Sequence, residues 1–501
     1  MEEFNSSQAS FLKSTLAKKT AMKHAIQIVL SLSLLTALHV RANEYPNNID
    51  IPTLVQLALK NQFDIRIQEI SAEQAAENIK SAGESFETTV SASASEFRDS
   101  NSNPNNFPYS VEGNSQSIAV QKRFGTGTSA QLRVNQNEFD GLAVPMSADA
   151  TLSVSQQLLR GRSRAYNLAP IRIAQKRHDI SLESLRQTVI NTIAEAQFAY
   201  FDGILAEKNL EVAQESLRLA EQLLNENKRR AEIGSVARSD ILQAEAEVAA
   251  RRERVYLAEV GLIRSKNHLK ALLSQETRAV IDWNFSFIAP STPENREVEL
   301  WSAFNQALLN RPDFRQATLN LEISEIEHLR QRHASLPALE LFARMNMEGF
   351  GSSTGQTFND LDSDKIPDFS FGVNLSRSLT NRAAKARAAS AAMEQNLRQL
   401  TIQQLEQGIL LNLDTAAAQI RSNWKRLETA RSSRELAQKS LEAEQKRYQT
   451  GTSSTFILIR LQTDLVSASV REVVAENDYR KSLVEWDRQT AQILKLHNIE
   501  I

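Results

Sequence analysis

Apolar and small residues recur at alternating steps of three and four positions through long stretches of the chain. One such stretch runs from Leu182 to Leu224, and another runs from Leu458 to Trp486. A seven-residue spacing predicts helices that supercoil around one another, because it keeps one stripe of side chains facing a partner helix. Residues 171–231 contain no proline, so at about 1.5 Å per residue they predict a helical arm of roughly 90 Å.

This helical pattern occurs twice, with an offset of 217 positions, the distance from Gly234 to Gly451. Arg230 corresponds in the same way to Arg447, and no gap is needed between about 182 and 272. Self-similarity at a fixed offset indicates a repeated structural unit. Glycine tolerates the left-handed conformation that ends helices. The sequence therefore predicts two long helical hairpins whose turns lie at Gly234 and Gly451.

Two segments between the helical stretches, residues 88–158 and 338–376, alternate apolar and polar residues with a period of two. Such strands, with long polar loops at one end and a tight turn at the other, are typical of a transmembrane β-barrel. Four to six strands cannot enclose a pore, and an open edge in lipid leaves backbone groups unpaired, so the barrel must be shared between chains. Three chains that each contribute two strands per half would form a twelve-stranded barrel. The sequence leaves open whether a further hairpin at 115–138 joins the wall.

These elements predict a mainly α chain with a transmembrane β-barrel, in which each half has the order helix, strands, long helix, long helix. A connector that contains Pro290 and Pro293 separates the two repeats. The predicted ranges are 43–272 for the first repeat, with helix 52–85, strands 88–158 and hairpin 165–272; 273–299 for the connector; and 300–496 for the second repeat, with helix 300–335, strands 338–376 and hairpin 382–496.

An uncharged, mostly apolar stretch near the start of the chain runs from Ala25 to Leu38. At about 14 residues it is too short to cross a bilayer core of roughly 30 Å, but it fits the apolar region of a secretory signal. Val40 and Ala42 supply the small residues that a signal peptidase site requires. We therefore expect residues 1–42 to be a signal peptide, with Met22 as an alternative start.

The composition of the chain mainly argues against certain functions. The formal net charge of the 501 residues is −2 and aromatic residues make up 6%, which argues against nucleic-acid binding. The chain contains no cysteine, so we expect neither disulfides nor a lipid anchor on a thiol. His328 and His333 are five positions apart and so do not share a helix face, as two zinc ligands would. We expect no enzyme activity, no cofactor and no metal site.

Several motifs resemble the TolC family of outer-membrane efflux proteins over residues 52–496. They are Ala58-Leu-Lys-Asn61, Gln157-Leu-Leu-Arg-Gly161 with Asn167-Leu-Ala-Pro-Ile-Arg172, Arg230-Ala-Glu-Ile-Gly-Ser-Val-Ala-Arg-Ser-Asp-Ile-Leu-Gln-Ala-Glu245 and Arg447-Tyr-Gln-Thr-Gly-Thr452. The resemblance implies a homotrimer with a β-barrel in the outer membrane of a Gram-negative bacterium and a helical tunnel in the periplasm. It also implies a passive exit duct of a tripartite efflux pump or type I secretion system. Such a duct docks to a periplasmic adaptor and to an inner-membrane transporter of the RND, ABC or MFS type.

The resemblance further implies a gate at the periplasmic tips of the hairpins. In the family an Asp on the first hairpin faces a Tyr and an Arg on the second, and Asp240 and Tyr448 match the Asp and the Tyr. Ser453 occupies the Arg position, so this contact lacks a charge-assisted bond. Acidic rings of the family correspond here to Ile457 and Arg460. Three copies of Arg460 around a narrow pore would repel cations.

Each of these assignments has an alternative that the sequence leaves open. Asp240 also fits an ordinary first-turn acid, which the helix dipole favours. Arg460 also fits a solvated outer face of its helix. For the whole chain, the alternative to a duct is a periplasmic coiled-coil structural or adaptor protein with a soluble β-domain and no pore.

Overall fold

A computed structural model describes most of the chain outside its first residues. The described ranges are 45–101, 109–140, 144–274, 281–361 and 366–499. The predicted signal peptide, residues 1–42, lies outside them. The chain divides into two compact units, of which the smaller comprises Met1–Asp50 and Thr277–Ile288. In this smaller unit strand β1, Asn48–Ile49, pairs in parallel with strand β6, Ser286–Phe287.

The larger unit, Ile51–Glu276 and Ala289–Ile501, holds the long helices and the main sheet. Its helices are α1 Ile51–Asn61, α2 Phe63–Ser81, α3 Arg164–Asn167, α4 Ala169–Glu232, α5 Arg238–Leu273, α6 Leu300–Asn310, α7 Pro312–Ala334, α8 Thr354–Leu361, α9 Arg382–Gln449, α10 Thr455–Gln489 and α11 Ile493–Leu496. The order of helices, strands and two long helices occurs in both halves, which confirms the predicted fold class. Among the described residues no helix is long and apolar enough to cross a membrane.

The helices predicted at 52–85 and 300–335 are each interrupted, and this corrects the sequence prediction. The second break falls at Arg311, whose φ of −71° and ψ of 123° are extended. It precedes Pro312, and a residue before proline avoids the helical region. The first break, at Gln62, has no proline after it. There the side-chain amide of Asn61 donates to the carbonyl oxygen of Leu273 at 2.7 Å, which fixes the end of α1.

The long helices follow the predicted seven-residue spacing. Helix α4 has 64 residues and α9 has 68, so each is roughly 100 Å long. Helix α4 packs against its hairpin partner α5 and also against α10 of the second hairpin. Many buried residues of α4 are small and stand on the predicted seam: Val189, Thr192, Ala196, Ala199, Gly203 and Ala220. Small side chains at these positions let neighbouring helices approach closely.

The two hairpins are also joined by a buried arginine. Only 1% of the surface of Arg251 on α5 is exposed. Its guanidinium donates to the Thr463 hydroxyl on α10 at 2.8 Å and to the Ser216 hydroxyl on α4. An ion pair with Glu247 at 2.6 Å balances its charge. Because a buried charge is costly unless it is paired and hydrogen-bonded, this network fixes the relative positions of the three helices.

The main sheet contains six antiparallel strands in the order β2-β3-β4-β5-β7-β8. The strands are β2 Thr88–Asn101, β3 Tyr109–Arg123, β4 Thr128–Phe139, β5 Met146–Gln157, β7 Ala338–Gly351 and β8 Asp368–Ser376. The hairpin whose membership the sequence left open is therefore part of the sheet, as β3 and β4. Strands β2 and β8 each pair on one side only within the described chain.

The two faces of the sheet differ in chemistry through its middle. Residues that are direct cross-strand partners on one face form an apolar row: Val90, Val120, Leu132, Leu152, Met345 and Phe369. The neighbouring row on the opposite face is mostly polar: Ser91, Ala119, Arg133, Thr151, Asn346 and Asp368. Since successive side chains of a strand point to opposite faces, this register gives the middle of the sheet one apolar and one polar surface.

Candidate gate at the helical tips

Both hairpin turns are built in the same way. Gly234 and Gly451 have φ values of 76° and 80°, a left-handed conformation that favours glycine. A side chain at either position would meet nothing within 4 Å, so backbone conformation alone explains the glycine. The amide of Ser235 donates to the Arg230 carbonyl oxygen at 2.8 Å, and the amide of Thr452 makes the equivalent bond to Arg447 at 2.9 Å. The repeat therefore extends to the hydrogen bonds of the turns.

Tyr448, near the end of α9, is buried beside the first hairpin. Its hydroxyl donates to the side-chain oxygen of Asn227, which has no exposed surface. The Asn227 amide in turn lies 3.2 Å from the Thr455 hydroxyl and 3.4 Å from the carbonyl oxygen of Asp240. Apolar side chains surround this network: Leu223, Leu441, Leu458 and Leu465. Polar bonds are stronger in such an environment than in water.

Arg230 makes a second connection between the two tips. Its guanidinium carbon lies 4.4 Å from the centroid of the Tyr448 ring. It donates to the backbone carbonyl oxygens of Tyr448 at 2.8 Å and Gln449 at 3.2 Å, at the C-terminal end of α9. Glu226 accepts from the same guanidinium at 2.8 Å. Cation–π attraction and bonds to C-terminal carbonyls both favour this position for a cation.

We use the term tip cluster for Asn227, Arg230, Tyr448 and Thr455. It consists of two residues from the first hairpin and two from the second. The sequence singled out Tyr448 as a candidate gate residue but did not single out Asn227 or Arg230, and a gating role for these residues stays a prediction. A signal for Asn227 exists, because it lies three positions after Leu224 and so places a polar group on an apolar seam.

The pair that the resemblance implied does not form within the chain. The carboxylate of Asp240 accepts from the Ala237 amide at 3.3 Å, at the start of α5. This is the first-turn arrangement that the sequence left as an alternative. Ser453, at the family's Arg position, donates to Glu444 of its own hairpin at 2.5 Å. Within the chain Tyr448 contacts Asn227, and a contact between Tyr448 and the Asp240 side chain of another chain stays a prediction.

The other two predicted residues stand on the first turns of α10. Ile457 and Arg460 are both exposed. The Ile457 amide donates to the Ser454 hydroxyl at 3.4 Å, which caps the helix. Arg460 makes no hydrogen bond or ion pair to any residue that the structure describes, and its role as a pore lining stays a prediction. Among all the residues that the structure describes, no group of three or more His, Cys, Asp or Glu residues is placed to hold a metal ion.

Comparison with known proteins agrees with this architecture. The profile of the family described as outer membrane efflux protein matches residues 54–275 and 303–488. The chain belongs to the outer membrane efflux protein family. This family consists of outer-membrane channels and not of enzymes.

Individual proteins resemble this chain either in sequence or in structure. The outer membrane protein TolC of Vibrio cholerae is 26% identical over 228 residues, which is 45% of this chain and 49% of the relative. The chain thus matches about half the length of that curated relative. The CmeC outer membrane channel of Campylobacter jejuni has a TM-score of 0.68 at 17% identity, with 93% of this chain and 95% of that one covered. The open state of the MtrE outer membrane channel of Neisseria gonorrhoeae gives 0.63 at 17% identity, with 88% of each chain covered. These structural similarities show the fold.

Proposed function

We propose that three copies of this chain form a passive channel through the outer membrane of a Gram-negative bacterium, with a helical tunnel in the periplasm. The two-faced sheet with its open edges β2 and β8 is the main support. In lipid every backbone polar group must be paired, so each edge requires a strand from another copy. The apolar face would then contact lipid, and the polar face would line the pore.

The long hairpins form the tunnel in this proposal, and their tips form its gate. The tip cluster joins the first and second hairpins of one chain through Arg230 and through the bond from Tyr448 to Asn227. A channel that opens at this end must separate or rearrange these hairpins. The tip cluster is therefore a set of contacts that stabilises the closed state.

A passive channel needs partners that supply energy and select cargo. We propose a periplasmic adaptor and an inner-membrane transporter of the RND, ABC or MFS type, in a tripartite efflux or type I secretion system. Membership in the outer membrane efflux protein family supports this assignment, as does a fold similar to that of outer-membrane channels.

Expression of the full chain in a Gram-negative host tests the proposal. The protein should remain in the outer-membrane fraction after carbonate extraction. It should have the mass of a trimer in mild detergent and conduct current in a planar bilayer. A protein that is released as a soluble monomer and conducts no current would instead favour the periplasmic coiled-coil or adaptor alternative.

A further inference from the structure

The hairpin formed by β3 and β4 distinguishes this sheet from one with two strands per half. We infer that this hairpin is part of the barrel wall, so that the trimeric channel has eighteen strands and an outer-membrane exit wider than a twelve-stranded barrel provides. The inference rests on the proposed function, since it applies only if three copies close one barrel.

The side chains of the hairpin have the same alternation as the other strands. On the apolar face of the sheet it contributes Ile118, Val120, Leu132 and Val134. On the polar face it contributes Ser117, Gln121, Gln131 and Asn135. A hairpin folded inside the pore or beside the barrel in water would have no reason to expose an apolar row that continues those of its neighbours β2 and β5.

The uncharged stretch of this face has a height comparable to that of a membrane. Lys122 is the cross-strand partner of Ala130, and Glu138 lies eight positions further along β4. Eight steps span about 27 Å at roughly 3.4 Å per residue, and the apolar band of an outer-membrane barrel is about 25 Å tall. Ala130, Leu132 and Val134 form the apolar part of this stretch, whereas Gln136 is polar and donates to the Thr354 hydroxyl of α8 at 3.1 Å.

The lower end of the hairpin is fixed at the junction between sheet and helices. The Asn167 side-chain amide donates to the carbonyl oxygens of Gly125 at 2.9 Å and Gly161 at 2.6 Å. Gly127, with a φ of 81°, approaches so closely that a Cβ there would lie 2.2 Å from the Gly161 carbonyl oxygen. The turn therefore packs against the segment that links β5 to α4, and it is part of the rim.

Only four of the six strands connect to helices outside the sheet's own loops: β2 to α2, β5 through α3 to α4, β7 to α7 and β8 to α9. The hairpin adds two strands to the wall without adding helices to the tunnel. Barrel diameter grows roughly in proportion to strand number, so eighteen strands give a diameter about 1.5 times that of twelve. The helical tunnel and its tips, and not the barrel, would then limit the size of the cargo.

Cysteine cross-linking tests the strand order, because the chain has no cysteine of its own. In the six-stranded sheet Ser91 and Thr151 are three strands apart, or about 14 Å, too far for a disulfide. If the hairpin lay off the wall, β2 would pair directly with β5 and bring these two residues together. The positive control is Thr151→Cys with Asn346→Cys, since these residues are direct partners in either arrangement.

We expect the control pair to cross-link and Ser91→Cys with Thr151→Cys to remain unlinked in the full chain. Efficient cross-linking of that second pair would overturn the inference. A count of eighteen strands by electron cryomicroscopy of the trimer in nanodiscs would support it, and a count of twelve would overturn it. Conduction would persist with twelve strands, whereas a monomer that does not conduct would instead refute the proposed function.

A deletion of residues 109–140 tests the effect on pore width. Strands β2 and β5 are antiparallel, and Val90 is linked to Leu152 through partners on β3 and β4, so direct pairing keeps the apolar faces aligned. We expect Ser91→Cys and Thr151→Cys to cross-link in this variant, which shows that it has folded. Polyethylene glycols of graded size, added from the extracellular side, should enter the full channel but be excluded from the variant at the larger sizes. Equal size limits for the two proteins would contradict a wider exit.

Discussion

Arg230 of the first hairpin donates to the backbone carbonyl oxygen of Tyr448 at 2.8 Å while its guanidinium lies over the Tyr448 ring. Replacing Arg230 with alanine removes both interactions. A hydrogen bond to a charged group contributes about 1.5–3 kcal/mol, so the ratio of open to closed channels should rise at least about tenfold. Single-channel recording in planar bilayers measures this ratio.

Two variants make the Arg230 test specific. Arg230→Lys keeps the charge but loses the planar fork and the stacking, so we expect an intermediate effect. Arg229 is the neighbouring exposed arginine, and Arg229→Ala should leave gating unchanged. An equal response to Arg229→Ala and Arg230→Ala would mean that overall charge at the tip, and not this contact, controls opening.

The second prediction separates the observed partner of Tyr448 from the one implied by the family. Tyr448→Phe leaves the buried oxygen of Asn227 without its donor, at a cost of about 1–3 kcal/mol, and should increase opening. Asp240→Ala removes the hydrogen bond that its carboxylate accepts from the Ala237 amide at the start of α5. It should lower local helix stability by about 0.5–1.5 kcal/mol without a comparable effect on conductance. The opposite result would indicate that Asp240 acts on the gate through a contact between chains.

A third prediction concerns Arg460. If three copies of its side chain line the entrance, Arg460→Asp should shift the selectivity of the channel toward cations. Reversal potentials in a salt gradient give the direction of this shift. The reversal potential of Arg460→Gln should lie between those of the unchanged protein and Arg460→Asp. Identical reversal potentials for all three proteins would place this side chain away from the pore.

The fourth prediction is a pH dependence of stability. Burial lowers the pKa of His497, with the Asp487 carboxylate acting in the opposite direction. The folded protein thus favours the neutral imidazole, whose Nε2 lies 2.7 Å from the Gln197 amide nitrogen. Stability from this site is present above the unfolded pKa of about 6.5 and is lost as pH falls through the lowered folded value. Thermal unfolding in detergent should show a falling Tm below about pH 6.5.

His497→Gln should flatten this dependence on the acidic side of neutrality. Asp487 contributes with the opposite sign, because burial raises its pKa although Arg296 lies 2.9 Å away and lowers it. The stability that Asp487 contributes is greatest at low pH. It is lost as the pH rises through the folded pKa, which lies above the usual value of 3.8. A plot of Tm against pH for the His497→Gln protein that keeps the original slope below about pH 6.5 would rule out His497 as the source.

Periodicity was enough to predict the long helices and the turns at Gly234 and Gly451, because seam residues and glycine act locally. The same periodicity could not show whether the hairpin at 115–138 joins the sheet. Alternating residues define the two faces of a strand but not which strands lie beside it. The partner of Tyr448 depends on how α4 and α9 are rotated against each other. No short-range pattern distinguishes Asn227 from Asp240 in that respect. The break at Gln62 was missed because no proline follows it.

The unpaired edges of β2 and β8 have a consequence for biogenesis. A lone subunit that entered the bilayer would carry two rows of unsatisfied amides and carbonyls into hydrocarbon, each costing several kcal/mol. Membrane insertion and subunit association should therefore occur as one event. The rate at which finished channels appear should depend on subunit concentration, and periplasmic chaperones would have to hold the exposed apolar surface in the meantime.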